Sequence, residues 1–260
     1  MEGNEADTKG FLDRFQGRAA VYSKYRPTYP GEVLLVVKRE LGFDQESVVA
    51  DIGSGTGILS ELFLENGSKV YCVEPNEDMR RAAGERLRRY SARYISVDGT
   101  AEATNLRTGS IDLVAVGQAL HWFDAGKARA EFARILTKQG CVAVVYNQRR
   151  IEGGVEESYA RVIDRFAKNR AAVPDVDDLY VTRFLNNREP KKFVMPNSQS
   201  LDLQGMLGRL ASASYMPPQG DKKWAEIERE VRGIFDEHGD GGVVTLHYDT
   251  ILYLGRIPGD

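Results

Sequence analysis

Up to Asn147 the chain alternates between short unbroken apolar runs and longer stretches with apolar residues every three or four positions. The runs at 47–51, 69–74, 92–96, 111–116 and 140–146 read as strands. Their unbroken character, as in Leu113-Val114-Ala115-Val116 and Val142-Ala143-Val144-Val145, suits strands covered on both faces. Between them, 31–41, 57–66, 77–89 and 124–138 read as helices, the first with Val33, Leu34, Val37 and Leu41 at helical spacing. This order predicts βαβ units, right-handed crossovers and a parallel sheet. Beyond Asn147 the pattern changes. Residues 151–190 are charged and helical with a break at Pro174, and read as an inserted cap within a single domain spanning 1–260. A strand at 192–196, helices at 201–213 and 221–237, and a long alternating strand at 243–256 complete the chain. Ahead of the first helix, 10–30 forms an arm with Phe11, Phe15, Arg18, Tyr22, Tyr25, Arg26 and Tyr29.

Composition narrows the class. With 260 residues, 42% hydrophobic and 28% charged, the chain reads as a globular protein and not as a disordered or membrane-embedded one. A net charge of −3 gives no overall pull toward phosphate backbones or anionic membranes, so neither nucleic acid nor membrane is expected as a partner. Arg80, Arg81, Arg86, Arg88 and Arg89 are interleaved with Glu77, Asp78 and Glu85, and read as a solvated helix face. Cys72 and Cys141 lie in apolar runs, as buried thiols of a reducing compartment do. His121, His238 and His247 lack ligand spacing, so no metal is expected. The N-terminal residues lack an apolar signal core and no stretch reaches membrane-span length, which makes the cytoplasm the expected location.

The candidate chemistry begins at residues 48–57, Val-Val-Ala-Asp-Ile-Gly-Ser-Gly-Thr-Gly, where a strand breaks into alternating glycines. Gly53, Gly55 and Gly57, with Ser54 between them, allow a tight turn and close approach of backbone to a ligand. The following helix presents free N–H groups there. The next strand ends in Glu74-Pro75, which places a carboxylate to accept from two ribose hydroxyls. A dinucleotide fingerprint would require Gly or Ala at 58, and Ile58 stands there instead.

GxGxG with Asp51 two residues before it resembles the first motif of class I S-adenosylmethionine-dependent methyltransferases. That resemblance implies a Rossmann-like α/β fold: a mostly parallel seven-stranded sheet with helices on both faces and an antiparallel strand near the C-terminal end. It also implies S-adenosylmethionine as cofactor. Asp51 then either braces the loop or reaches the methionine end through water. Thr100-Ala101-Glu102 matches the family's adenine position, where an Asp followed by Ala is common; with Thr100 in place of the Asp, the Ala101 N–H carries more of that contact. Gly117-Gln118-Ala119-Leu120-His121-Trp122 resembles the fourth-strand motif of a small-molecule subgroup that includes trans-aconitate and quinone-biosynthesis methyltransferases. The arm, with Tyr22, Tyr25, Arg26-Pro27 and Tyr29-Pro30, resembles the same subgroup.

In that subgroup's image Gln118 faces the cofactor's methionine portion, and the arm closes over the cofactor with Tyr22 and Arg26, the latter on its carboxylate. Trp122, Tyr25 and Asn147 face the acceptor. His121 is either a base or a positioning residue. The competing readings are a buried His121-Trp122 pair bracing a helix start, and an arm packed outside the sheet with Arg26 in a surface ion pair. A carboxylate acceptor would need no base, and Arg149 or Arg150 could bind it. The expected function is methyl transfer to an oxygen, nitrogen or carbon of a small organic molecule. Action on RNA or protein, and a non-catalytic S-adenosylmethionine-binding subunit, remain the alternatives.

Overall fold

The computed structural model describes residues 19–168 and 176–257. Phe11, Phe15, Arg18 and the expected break at Pro174 lie outside the described residues. In chain order the elements are α1 (Ala19–Tyr25), α2 (Glu32–Leu41), β1 (Val48–Ile52), α3 (Ile58–Glu65), β2 (Lys69–Val73), α4 (Glu77–Arg86), β3 (Tyr94–Val97) and β4 (Ile111–Gly117). There follow α5 (Ala125–Ile135), β5 (Leu136–Arg149), α6 (Gly154–Phe166), α7 (Asp178–Phe184), β6 (Lys191–Leu201), α8 (Leu203–Ala211), α9 (Trp224–His238) and β7 (Val244–Gly255).

The strands form one seven-stranded sheet in the order β3-β2-β1-β4-β5-β7-β6. It is mostly parallel, with an antiparallel pair among its C-terminal strands. Register is continuous from Val48↔Lys69 to Ile52↔Val73, and Asp51 stands beside both Cys72 and Ala115. Because side chains alternate across a strand, an unbroken apolar run feeds two cores. Ala50, Ile52, Val114, Val116, Val142 and Val144 face one, where α5 contributes Phe132 and α7 contributes Phe184. Val49, Leu113, Ala115, Cys141, Ala143 and Val145 face the other, with Val33 and Val37 of α2 and Phe63 of α3.

Two boundaries differ from expectation for physical reasons. Between β4 and β5 the register jumps from Ile111↔Leu136 to Leu113↔Cys141. β5 thus advances five residues while β4 advances two, so three residues before Cys141 are extra to the ladder, which resumes where the apolar run begins. Strand β6 continues to Leu201 through Pro196, Asn197, Ser198, Gln199 and Ser200, a polar run that hydrophobic patterning does not detect. Its place at the sheet's edge accounts for both the polar side chains and the proline.

The described residues divide into two compact units. A sheet unit holds 28–146, 176–195 and 250–257, and a second unit holds 19–27, 147–168 and 196–249. The second unit has its own core, in which Tyr159, Ile163 and Phe166 of α6 meet Met206 and Leu210 of α8, Ile227 and Val231 of α9, and Leu246 and Tyr248. The stretch 151–190, expected as one cap, is thus shared out. Helix α6 belongs to the second unit, while Val181 and Phe184 of α7 pack into the sheet unit's core. Helical periodicity marks which face of a segment is buried but not which core receives it.

The ring of Phe132 is fully buried and meets Phe123 and Phe184 edge-on at centroid distances of 6.2 and 5.7 Å. Phe132→Ala is expected to lower unfolding stability by ~3–5 kcal/mol, read from urea denaturation midpoints. A loss below ~1 kcal/mol would mean that this core is not as packed as described.

Candidate active site

Strand β1 is paired with β2 on one side and β4 on the other, so the order of the sheet reverses there. Ligands of open parallel sheets bind beyond the carboxyl ends of the strands at such a reversal. Here those ends carry the glycine loop, Glu74, and the segment from Gln118 to Trp122.

The loop is stitched to the end of β2: the Gly53 and Ser54 N–H groups both donate to the Val73 carbonyl, at 2.9 and 3.1 Å. Gly57 N–H closes the turn on the Ser54 carbonyl at 2.9 Å. The loop glycines have φ of +68°, +55° and +79° at 53, 55 and 57, a region that disfavours side chains. A Cβ at Gly53 would fall 2.8 Å from Ala119 Cβ, and one at Gly57 would fall 2.6 Å from Leu87 Cδ1. At Gly55 a Cβ would meet nothing within 4 Å. Two glycines are therefore required by packing, and the middle one lies against open space.

Glu74 joins the two loops. Its Oε2 accepts from Gly55 N–H at 3.0 Å and its Oε1 from Asn76 N–H at 2.9 Å. The side chain of Asn76 in turn caps α4 by accepting from Met79 N–H at 3.1 Å. A carboxylate has about four lone-pair sites, so each oxygen keeps capacity for a further donor. Glu74 is only 4% exposed. That burial raises its pKa, against the pull of the two N–H groups.

Beneath the loop, Asp51 is 1% exposed; its Oδ2 accepts from Ser60 Oγ at 2.5 Å, and Cys72 Sγ donates to the same hydroxyl at 3.1 Å. Burial, with a contribution from the Glu74 charge, pushes the Asp51 carboxyl up to about 7. Its Oδ1 has no hydrogen-bond partner, and neither do the buried hydroxyls of Ser54 and Thr56. Unmet buried polar groups are costly. Three of them around one glycine loop fit a polar ligand such as an amino-acid nucleoside. Of the two roles open to Asp51, bracing is met by Oδ2, and Oδ1 is left over.

Across the reversal, Gln118 is held at φ +58°, a left-handed conformation rare outside glycine, and its N–H donates to the Val145 carbonyl at 3.0 Å. Strain of this kind is characteristic of functional loops. His121 Nδ1 lies 3.2 Å from the Tyr146 hydroxyl, and its ring rests against Trp122 with centroids 4.5 Å apart. Burial raises the Tyr146 pKa, keeping the phenol neutral. The sequence marked Tyr146 as a strand end without a role; what was missing is that adjacent parallel strands bring it beside His121.

The expected adenine segment is a tight turn, with Thr100 Oγ1 accepting from the N–H groups of Glu102 and Ala103 at 3.3 and 3.2 Å. Ala101 is buried within it. Glu102 is used elsewhere: its Oε1 accepts from Asp124 N–H at 2.9 Å, holding the residue that caps α5. Pro75 is half-buried and Met79 buried at the start of α4. Four of the five arginines expected on a solvated face are paired with acids: Arg80 with Asp98, Arg81 with Asp78, Arg86 with Glu61, and Arg89 with Glu61 and Glu65.

Tyr22, Tyr25, Arg26 and Asn147 belong to the second unit. Arg26 is not in a surface ion pair. Its guanidinium lies 4.6 Å from the Tyr22 ring centroid and donates to the Ser212 carbonyl at 2.9 Å. The Tyr25 ring occupies the space where a Cβ on Gly208 would fall, and Asn147 Oδ1 accepts from Asn197 Nδ2 at 3.2 Å.

The strand order and the carboxylate-braced glycine loop define an α/β protein built around a nucleoside cofactor. Residues 50–144 match the family model for a methyltransferase domain. An uncharacterized methyltransferase of Mycobacterium tuberculosis is 31% identical over 247 residues, which cover 91% of this chain and 93% of that one. A Dictyostelium discoideum protein provisionally named a methyltransferase is 25% identical over 259 residues, 95% of each. Among solved structures, one from Anaeromyxobacter dehalogenans, provisionally named a type II methyltransferase, superposes with a TM-score of 0.68 at 22% identity, over 91% of this chain and all of its own. A geranyl diphosphate methyltransferase in complex with S-adenosylmethionine superposes at 0.51 and 13% identity, over 88% of this chain and 85% of its own. The chain belongs to the class I S-adenosylmethionine-dependent methyltransferases. S-adenosylmethionine is its cofactor.

Gly55→Ala is expected to cost ~1–2 kcal/mol in stability from its φ alone and to weaken S-adenosylhomocysteine binding about tenfold or more (~1.4 kcal/mol), by calorimetry. Unchanged affinity would place the cofactor away from the loop's open side. A second test concerns Asp51. Its folded pKa of about 7 exceeds the unfolded value, so the native state holds this proton more tightly. The resulting stabilisation is present below about pH 4 and disappears as pH rises through about 7. Urea unfolding of the ligand-free protein at pH 5 and 8 should therefore show Asp51→Asn gaining on the wild type at the higher pH. A gap independent of pH would contradict a protonated Asp51.

Proposed function

We propose that this methyltransferase acts on a small organic molecule and grips its cofactor by Glu74 and the glycine loop. The observation that carries the site assignment is the buried Glu74 carboxylate, bonded to Gly55 N–H at 3.0 Å and to Asn76 N–H at 2.9 Å, with acceptor capacity left on each oxygen. That capacity suits the two ribose hydroxyls. The Gly53-Ser54-Gly55 backbone with Asp51 Oδ1, Ser54 Oγ and Thr56 Oγ1 suits the polar amino-acid end. Pro75, Met79 and Ala101 offer apolar surface and a backbone N–H to the adenine, while Thr100 and Glu102 shape that turn. Gln118 lies on the methionine side.

When bound, S-adenosylmethionine supplies a methyl group already made electrophilic by its sulfonium. The protein's share is alignment of the acceptor and exclusion of water, and positioning of this kind is worth ~7–11 kcal/mol. His121, held by the Tyr146 hydroxyl and the face of Trp122, orients the acceptor, and takes its proton where the acceptor carries one. The small-molecule reading is supported by the pairing of Arg80, Arg81, Arg86 and Arg89 with acids, which leaves these four without the unbalanced charge that a nucleic-acid face requires. The fold accommodates such substrates, as the name of the geranyl diphosphate enzyme indicates.

Calorimetry with S-adenosylhomocysteine should show wild-type binding and at least a tenfold loss (~1.4 kcal/mol) in Glu74→Ala. Undiminished binding in that variant overturns the site assignment. Incubation with S-adenosylmethionine and a panel of small acids, phenols and amines should release S-adenosylhomocysteine, with His121→Asn lowering kcat at unchanged cofactor affinity. Turnover on RNA or protein but on no small molecule rejects the acceptor class. Binding without any turnover identifies a non-catalytic subunit.

A further inference from the structure

The second unit gathers three arginines with no acid to answer them. Arg26 follows α1, Arg149 ends β5, and Arg209 lies in α8, where it is only 8% exposed. The Nε–H groups of all three are buried without hydrogen-bond partners, and so is the hydroxyl of Tyr159, a residue 1% exposed. The Arg149 guanidinium lies 5.1 Å from the centroid of the Tyr159 ring. Arg26 and Arg209 are close enough that, after burial itself, the charge of Arg209 is the main influence depressing the Arg26 pKa. Tyr159, Tyr215 and Tyr248 are near enough to Arg209 to act on its charge, and Tyr248 hydrogen-bonds to it. Among the described residues no carboxylate pairs with any of the three. Arg150, the next residue along, pairs with Asp249 at 2.7 Å, and the buried Glu156 of the same unit is engaged by His247 at 2.7 Å.

This arrangement is unfavourable as it stands. A charge taken out of water without an opposite partner is destabilising, and a buried donor with nothing to donate to adds to that cost. Phenol oxygens accept hydrogen bonds but carry no compensating charge. A guanidinium presents its donors as a planar fork that matches the two oxygens of a carboxylate or phosphate.

We propose that Arg26, Arg149 and Arg209, with the Tyr159 hydroxyl, form a binding site for a small organic anion bearing more than one negative charge, as carboxylates or a phosphate. S-adenosylmethionine has a carboxylate too, but the ammonium beside it makes that end a zwitterion, which does not answer three guanidiniums. Assigning the anion to the methyl acceptor rests on the small-molecule reading above; the anion site itself does not.

The test uses the full chain at constant ionic strength, with malonate, tricarballylate and inorganic phosphate as probes and glycerol as the uncharged control. Saturable binding by calorimetry, and a rise in Tm with the anions but not with glycerol, are expected. Arg149→Gln and Arg209→Met should each weaken the preferred anion at least tenfold while leaving S-adenosylhomocysteine affinity unchanged. Methionine at 209 removes the buried charge while keeping an unbranched side chain there, and the half-buried Arg149 supplies a second variant should the first fail to fold. Equal anion affinity in wild type and Arg149→Gln, or no saturable binding at all, overturns the site. So does a loss of affinity in the variants for S-adenosylhomocysteine but not for 5′-methylthioadenosine, because the cluster would then serve the cofactor's own carboxylate. Anion binding with no methylation of any acid upholds the site and rejects its assignment to the acceptor, and neither result depends on the Glu74 test.

Discussion

A single buried carboxylate organises the sheet unit. Glu74 ends β2, yet it is bonded to the backbone of the loop that follows β1 and to the backbone that opens α4. Burying an anion is costly unless backbone donors surround it, so the fold must keep both N–H groups in place for the carboxylate to remain there. The glycine loop acquires its shape from this demand and from the two bonds to the Val73 carbonyl. The acid proposed to meet the ribose is thus the same one that gives the glycine loop its shape.

Much of the sheet unit was legible because its constraints are local. An unbroken apolar run such as Val142-Ala143-Val144-Val145 has only one way to bury both faces, and the structure divides its residues between the two cores accordingly. Gly53 and Gly57 are packed too tightly for any side chain, which is why the motif was readable at all.

What escaped the sequence depends on long-range pairing. Tyr146 meets His121 only because β4 and β5 are adjacent, and Glu102 accepts from the Asp124 N–H that opens α5. The polar half of β6 carries no apolar signal and becomes a strand by edge pairing alone. Residues of α6 and of α7 join different cores, which only tertiary structure discloses. Arg26 lies close to Arg209, nearly two hundred residues later, a proximity that no local pattern discloses.

The hydroxyl of Ser60 receives the Cys72 thiol while donating to Asp51, and burial, the neighbouring Asp51 charge adding to it, drives the Cys72 pKa far above the usual thiol range. Only a thiolate attacks disulfides, peroxides or alkylating agents at a useful rate. Burial thus holds the Cys72 thiol in its neutral, less reactive form in the native state. Cys141, also buried, is held neutral for the same reason. Labelling of either sulfur would accordingly report opening of the sheet.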